Sequence, residues 1–363
     1  MSETPKEQMT KLLSSMSHYE ASDLHLKVGY PPYFRVRGVL RAATMPPLES
    51  SKHIEEMLHD LIPAERFGEF EKTGALDFST SGASGDRFRI NMFRATGEVH
   101  ASIRRVQSEA PTIESLHLPP IYRQVLDRSM DGLFLVSGVT GCGKSSTLAA
   151  MVDHINQVHS MHIITIEDPV EFIFKPKKSI ISQREIGIDV ANYNDALRYV
   201  VRQDPDCILI GELRDRETMV AAIQAAETGH LVLGSVHVSD VQQTFNRILE
   251  FFPRAEHAFI RSSIANSLRA IMCQRLLPGI EEGTRYPATE ILLNNSIVKD
   301  KIVREKDNEL PAVIAHCVEE GMRSFTYSLS ELITEEKVHY DTAMEYAPNR
   351  EALASSVKGI KAG

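Results

Sequence analysis

The sequence predicts an α/β core built on a parallel sheet, preceded by a smaller α+β domain. Three observations predict it. Apolar strand-like runs alternate with helical patterns between residues 133 and 236, as βα units do. A glycine-rich stretch at 138–145 joins one of those strands to one of those helices. Upstream of residue 106 the runs are instead short, alternating and broken by glycine and proline. At 363 residues, with 42% apolar and 25% charged content, the chain has room for two domains and an ample core.

The first domain is assigned to residues 1–108. A helix from Met9 to about His18 opens it, followed by strands at Ser22 to Lys27 and Tyr33 to Arg37, separated by Pro31-Pro32. In the second of these, Phe34 and Val36 share one face while Arg35 and Arg37 share the other. A helix near Ser50 to Leu61 comes next, then strands near Ala75 to Thr80, Arg87 to Arg94 and Val99 to Val106, with Gly82, Gly85 and Gly97 as turn residues. This pattern reads as a mostly antiparallel sheet with helices. Residues 109–120 carry Pro111, Pro119 and Pro120 without periodicity and suit an interdomain linker.

The second domain, 121–363, carries strands at Leu133 to Ser137, His162 to Glu167, Cys207 to Gly211 and Leu231 to Val236. Helices are expected at Ser145 to Gln157, Tyr193 to Gln203 and Glu217 to Thr228. From Pro253 onward the pattern reads as mainly helical. Phe259, Ile260, Ser263, Ile264, Ser267, Leu268 and Ile271 mark one long amphipathic helix, and the tail from Ser355 to Gly363 reads as a fraying end.

Composition narrows the function. Forty Lys and Arg against 49 Asp and Glu give a net charge of -9, whereas proteins that track a nucleic-acid backbone carry a basic excess. Nucleic acid is therefore not expected as a partner. The polar start Met1 to Thr10 has no signal-peptide core, and no run approaches the roughly 18 apolar residues of a membrane span, so a cytosolic protein is expected. The cysteines Cys142, Cys207, Cys273 and Cys317 are scattered and indicate neither a disulfide framework nor a zinc knuckle.

The chemistry is carried by a few short segments. Gly138-Val139-Thr140-Gly141-Cys142-Gly143-Lys144-Ser145 fits the phosphate-binding pattern G-x-x-x-x-G-K-[ST]. Its backbone N–H groups at a helix N-terminus suit phosphate oxygens, Lys144 suits the β/γ-phosphates, and the Ser145 hydroxyl suits Mg²⁺. Gly138, Thr140, Gly141, Cys142, Gly143, Lys144, Ser145 and Ser146 are thus the candidate ATP-binding set, with Asp168 and His230 beside them. The position of the Cys142 thiol at a helix N-terminus predicts a lowered pKa. Hydrolysis also needs acids at strand ends. Glu167 and Asp168 end one apolar strand, and Gly211-Glu212 ends another in the form of a Walker B segment. His230 and His237 bracket Leu231 to Val236 and could sense the γ-phosphate. Each has a plainer reading: the acids as capping or solvated strand ends, the histidines as rings satisfied by backbone carbonyls.

Taken together, these segments resemble the type IV pilus retraction ATPases, the PilT/PilU family of secretion-type ATPases. The likeness rests on the phosphate loop, the aspartate box Thr165 to Phe172, the Walker B segment Gly211-Glu212-Leu213-Arg214-Asp215 and the histidine box from Ala226 through His237. Ser182-Gln183-Arg184-Glu185 and Arg87-Phe88-Arg89-Ile90-Asn91 also match, and the likeness runs from Ser22-Asp23-Leu24-His25-Leu26 to Gly321-Met322. The resemblance implies a PAS-like N-terminal domain, a RecA-like ATPase domain with a helical C-terminal part, and a homohexameric ring. It further implies an inner-membrane platform protein of the PilC type as partner, and hence a cytoplasmic protein held peripherally at the inner membrane. Arg89 and Arg104 match arginines that reach the phosphates in the manner of an arginine finger. Glu212 is the first choice for activating water, with Glu167 second, Asp168 supporting and His237 sensing.

Two stretches depart from the family pattern. At 296–305 only the end of the expected Ala-Ile-Arg-Asn-Leu-Ile-Arg-Glu helix is kept, and Gly234-Ser235-Val236-His237-Val238-Ser239 replaces a His-Thr pair. The first leaves open an accessory role beside a second retraction ATPase, which the PilU-like wording of Glu290-Ile291-Leu292-Leu293-Asn294 suits, and the second removes or shifts one hydrogen-bonding hydroxyl. A nucleic-acid translocase on the same core is the remaining alternative.

Overall fold

The computed structural model describes residues 3–36, 38–63, 66–82, 86–106 and 109–361. The expectations for Arg37, Gly85, the boundary at 108 and the last two residues of the tail lie outside these. The chain divides into two compact units, Met1–Glu109 with Glu171–Ile173, and Ala110–Val170 with Phe174–Gly363.

In the first unit, α1 (Pro5–His18) is started by a capping box in which the Thr4 hydroxyl accepts from Glu7 N and the Glu7 carboxylate accepts from Thr4 N. Its buried Met9, Leu12, Leu13 and Met16 repeat at helical spacing and face the core. Strands β1 (Asp23–Lys27), β2 (Tyr33–Val36), β3 (Val39–Ala42), β4 (Ala75–Ser81), β5 (Arg87–Ala95) and β6 (Glu98–Val106) form one antiparallel sheet in the order β3-β2-β1-β6-β5-β4. Helices α2 (Ser51–Leu58), which passes into a single 3-10 turn at His59–Leu61, and α3 (Phe67–Thr73) complete the unit. Strand β5 shows why the alternation was readable. Phe88, Ile90 and Met92 are buried while Arg87, Arg89 and Asn91 face the other way. Strand β3 is exposed at every residue and leaves no such pattern to read.

The second unit begins with α4 (Ile121–Arg128) and β7 (Gly132–Ser137), then runs α5 (Lys144–Val158), β8 (His162–Glu167), β9 (Ile180–Glu185), α6 (Tyr193–Val200), β10 (Cys207–Ile210), α7 (Arg216–Glu227), β11 (Leu231–Val236), α8 (Val241–Glu250) and α9 (His257–Ser267). A long hairpin follows, β12 (Leu268–Pro278) and β13 (Arg285–Leu293). The helices α10 (Ser296–Val303), α11 (Leu310–His316), α12 (Phe325–Thr334), α13 (Tyr340–Tyr346) and α14 (Arg350–Lys361) close the chain. The sheet order is β13-β12-β7-β11-β10-β8-β9. Every pair in it is parallel except β12 with β13. Strands β7 and β11 are buried at every position, as strands covered on both faces must be.

The hairpin overturns the expected long helix through Ile271. The helix α9 stops at Ser267, and Leu268 and Ile271 belong to a strand. From Ala270 to Cys273 that strand is buried on both faces, so its apolar run has no alternation and mimics the continuation of a helical stripe. The tail is likewise ordered as helix to Lys361, with Leu353 and Val357 buried one turn apart. Among the described residues no helix is long and apolar enough to cross a membrane.

Candidate active site

The sheet register puts the chemistry on one edge. Val236 pairs with Ser137, Ile210 with Gly234, and Ile210 with Ile166. The segments leaving the C-terminal ends of β7, β8, β10 and β11 therefore begin level with one another. They carry Gly138, Asp168, Gly211-Glu212 and His237.

The loop after β7 is shaped by glycine. Gly138, Gly141 and Gly143 hold φ of 156°, 81° and 93°, a region that side chains resist. At Gly138 space forbids a side chain as well, since a Cβ there would lie 2.3 Å from Cys142 Sγ. Helix α5 starts on Gly143 with no side-chain cap. A glycine loop opening a helix is a cradle for an anion. Lys144 is 7% exposed, and its ammonium donates to Gly138 O at 2.8 Å and Val139 O at 3.2 Å. Thr140, Gly141 and Ser145 are exposed at the loop's rim, and Ser146 is half-buried. Ammonium, backbone cradle and hydroxyl together fit a magnesium-bound polyphosphate, because Mg²⁺ needs few protein oxygens when phosphates supply others. The Cys142 thiol corrects one expectation: burial pushes its pKa up, and the nearby Lys144 only partly opposes this.

The acids sit at two strand tips. Glu167 is 9% exposed, and its Oε1 accepts from Thr165 Oγ1 at 2.6 Å and from Gln183 Nε2 at 3.3 Å. Glu212 is more open, and its Oε1 lies 3.9 Å from His237 Nε2. Burial lowers the His237 pKa, the Lys144 charge lowers it further and Glu212 opposes both. Lys144, Glu212 and His237 thus form one electrostatic cluster, contributed by three neighbouring strands.

The family described as "Type II/IV secretion system protein" matches residues 2–355. PilT, the type IV pilus retraction ATPase of Pseudomonas aeruginosa, is 37% identical over 339 residues, covering 93% of this chain and 98% of PilT. The chain belongs to the PilT/PilU-type retraction ATPases. PilU of the same organism is 35% identical, covering 96% of this chain and 91% of PilU. A solved structure of the pilus retraction motor PilT with bound ADP superposes with a TM-score of 0.87 at 37% identity, covering 95% of this chain and 98% of the PilT chain.

Within this retraction ATPase the remaining predicted residues fall in different places. Asp168 is exposed on the loop after β8. His230 corrects the expectation that set it beside the nucleotide. It precedes β11, so it lies at the opposite strand end from the loop, where its Nδ1 bonds Ala225 O at 2.9 Å. Arg89 and Arg104 are register partners across β5 and β6 of the first unit. Arg104 Nε donates to Asp23 Oδ1 at 2.8 Å, and Arg89 Nε lies 3.6 Å from Asp77 Oδ1. Burial opposes ionisation of Asp23, yet hydrogen bonds from Arg104 and Ser22 outweigh it and hold its pKa below the usual range.

Two residues of the site escaped the sequence reading. Tyr193 opens α6 and is 4% exposed, with its hydroxyl 3.0 Å from where a Cβ on Gly211 would stand. Burial raises its pKa, and the charges of Asp168, Glu212 and Glu167 raise it further while Arg214 opposes them. Gln274, on β12, touches the phosphate loop directly. A glutamine interrupting the apolar run Ile271-Met272-Cys273 was the signal for it.

Proposed function

We propose that this chain is the protomer of a hexameric ATP-hydrolysing motor that powers type IV pilus retraction and so twitching motility. The observation that carries the reading is the meeting of Lys144, Glu212 and His237 at one sheet edge, in a chain 37% identical to PilT over nearly its whole length. In this reading the N–H groups of Thr140, Gly141 and Gly143 take phosphate oxygens, while Gly138 and Cys142 shape the cradle with their N–H groups donated to Val236 O and Val139 O, and Lys144, Ser145 and Ser146 stand beside them. Ser145 offers its hydroxyl to Mg²⁺, which neutralises phosphate charge when bound. Glu212 orients the attacking water and takes its proton while the bond to the γ-phosphorus breaks, leaving ADP and phosphate. Glu167 is the second candidate for that base, Asp168 supports it and His237 senses the γ-phosphate.

The first domain, 1–108, is read as PAS-like, residues 109–120 as the hinge, and 121–363 as the RecA-like ATPase. Arg89 and Arg104 are its candidate arginine finger. Closure and reopening of the two domains around ATP would reshape the ring and move a PilC-like platform protein of the inner membrane, to which the ring binds peripherally from the cytoplasm.

Deletion of the gene tests the reading. Cells should become hyperpiliated and unable to twitch, with recovery on return of the wild-type chain but not of Lys144→Ala. Recovery by Lys144→Ala would overturn it. The altered stretch at 296–305 motivates one second reading, an accessory subunit beside another retraction ATPase. Purified protein that turns ATP over no faster than Glu212→Gln would select that reading. ATPase activity stimulated by DNA would instead select a translocase, which the net charge of -9 disfavours.

A further inference from the structure

The phosphate loop is held from beneath by β12. In the register of β12 with β7, Cys273 pairs with Ser137, which sets Gln274 level with Gly138. Gln274 is 2% exposed. Its Nε2 donates to Cys142 O at 2.6 Å, and its Oε1 accepts from the Thr147 hydroxyl at 2.9 Å. Its own backbone oxygen would stand 2.7 Å from a Cβ on Gly138, and its Nε2 3.2 Å from one on Gly143. The backbone of this one residue thus lies against the loop's start, while its side chain reaches the loop's end and the first turn of α5.

The two ends of the amide cannot exchange. Cys142 O only accepts, so nitrogen must face it, and the Thr147 hydroxyl is then left to donate to the amide oxygen. The Cys142–Gly143 peptide is trans, because the one cis bond among the described residues is Asp168–Pro169. In a trans peptide the C=O and the following N–H point in opposite directions. A carbonyl fixed toward β12 therefore turns the Gly143 N–H away from it, to the solvent side where Thr140, Gly141 and Ser145 are exposed.

We infer that Gln274 is a positioning residue of the nucleotide site, whose amide fixes the Cys142 carbonyl and so aims the Gly143 N–H at a bound phosphate. The inference rests on the reading of 138–145 as the triphosphate loop. Its strand is braced from behind. Thr289, the register partner of Gln274 on β13, donates its N–H to Ser328 Oγ on α12, and Arg275 Nη1 donates to Tyr346 O on α13. A donor held on so buried a frame supplies pre-organisation, which a mobile loop lacks.

Isothermal titration of the full chain with Mg·ADP tests it in Gln274→Glu and Gln274→Met. A carboxylate at 274 sets oxygen against oxygen at Cys142, so at about pH 8 Gln274→Glu should bind roughly tenfold or more weakly than wild type. A buried carboxyl has a raised pKa, and once protonated it can donate to Cys142 O again. Its affinity should therefore recover as pH falls toward about 6, while Gln274→Met should be about fivefold weak at both. Thr147→Val, which frees the amide oxygen, should weaken binding about threefold and supplies the decision with Gln274→Met if the glutamate variant does not fold. Wild-type affinity in Gln274→Met or in Gln274→Glu at the higher pH would overturn the inference. Equal, pH-independent weakening in the two 274 variants would do so too, since it marks a space-filling role. Lys144→Ala separates the two layers of argument. If it binds Mg·ADP like wild type, the loop assignment itself fails and the inference falls with it.

Discussion

Two histidines bracket β11, and their surroundings differ at every point that matters for catalysis. His237 follows the strand, 3.9 Å from the Glu212 carboxylate, with burial and the Lys144 charge both lowering its pKa. His230 precedes the strand, and its ring bonds the Ala225 carbonyl and the Thr228 hydroxyl near the end of α7. In a parallel sheet the strands share a direction, so one edge collects every loop that follows a strand and the other every loop that precedes one. Which end of the strand a residue occupies decides its role here more than its side-chain type does.

Lys144→Ala should have the largest effect on the following edge. It removes the buried cation of the cluster, and ATP turnover should drop about 10³-fold. Steady-state phosphate release measures it, and turnover above a tenth of wild type would detach the loop from the chemistry. Glu212→Gln keeps the shape of the side chain and removes its basicity. Turnover should fall about 10²-fold while ATP binding persists, as loss of a general base requires. If turnover stays normal, the base is elsewhere, and Glu167→Gln becomes the variant to measure.

The following edge was legible in the sequence because its residues are punctuation. Glycines, a lysine and isolated acids stand out where apolar strands stop, and the bounds of β8 and β11 agree with the expected ones at both ends. What lies beneath that edge was not legible. From Ala270 to Cys273 the β12 strand is apolar on both faces, and periodicity cannot separate such a run from buried helix, so the glutamine that ends the run was not recognised as part of the site. Tyr193 looked like an ordinary aromatic at the start of a helix. Only the approach of α6 to Gly211 brings its hydroxyl to the strand tip that carries Glu212, and chain spacing carries no trace of that approach.

His237→Ala sharpens the comparison at a smaller scale. Loss of about tenfold in turnover is expected for a group that assists without taking the proton. The pH dependence is more telling. With its pKa held below 6.5, His237 is neutral at neutral pH, so wild-type turnover should stay level through 6.5 and fall only as pH drops through the lower folded value. Unfolded chains bind the proton more readily than the folded one here. Stability is therefore complete above 6.5 and is lost as pH falls through the lower folded value. In His237→Ala the acid limb of the rate profile should shift or vanish, and an unchanged limb would assign it to another group.

His230→Ala should have the smallest effect and is the most direct attempt to break the comparison. The ring is half-buried, and its loss removes hydrogen bonds to Ala225 O and Thr228. One such bond is worth about 1 kcal/mol, so the melting temperature should fall by a few degrees. Turnover should remain within about twofold of wild type, because a group at the preceding edge is separated from the loop by six residues of strand, roughly 20 Å. If turnover instead drops as far as in His237→Ala with little thermal shift, the preceding edge takes part in the chemistry. The rule that strand direction sorts the two histidines would then fail.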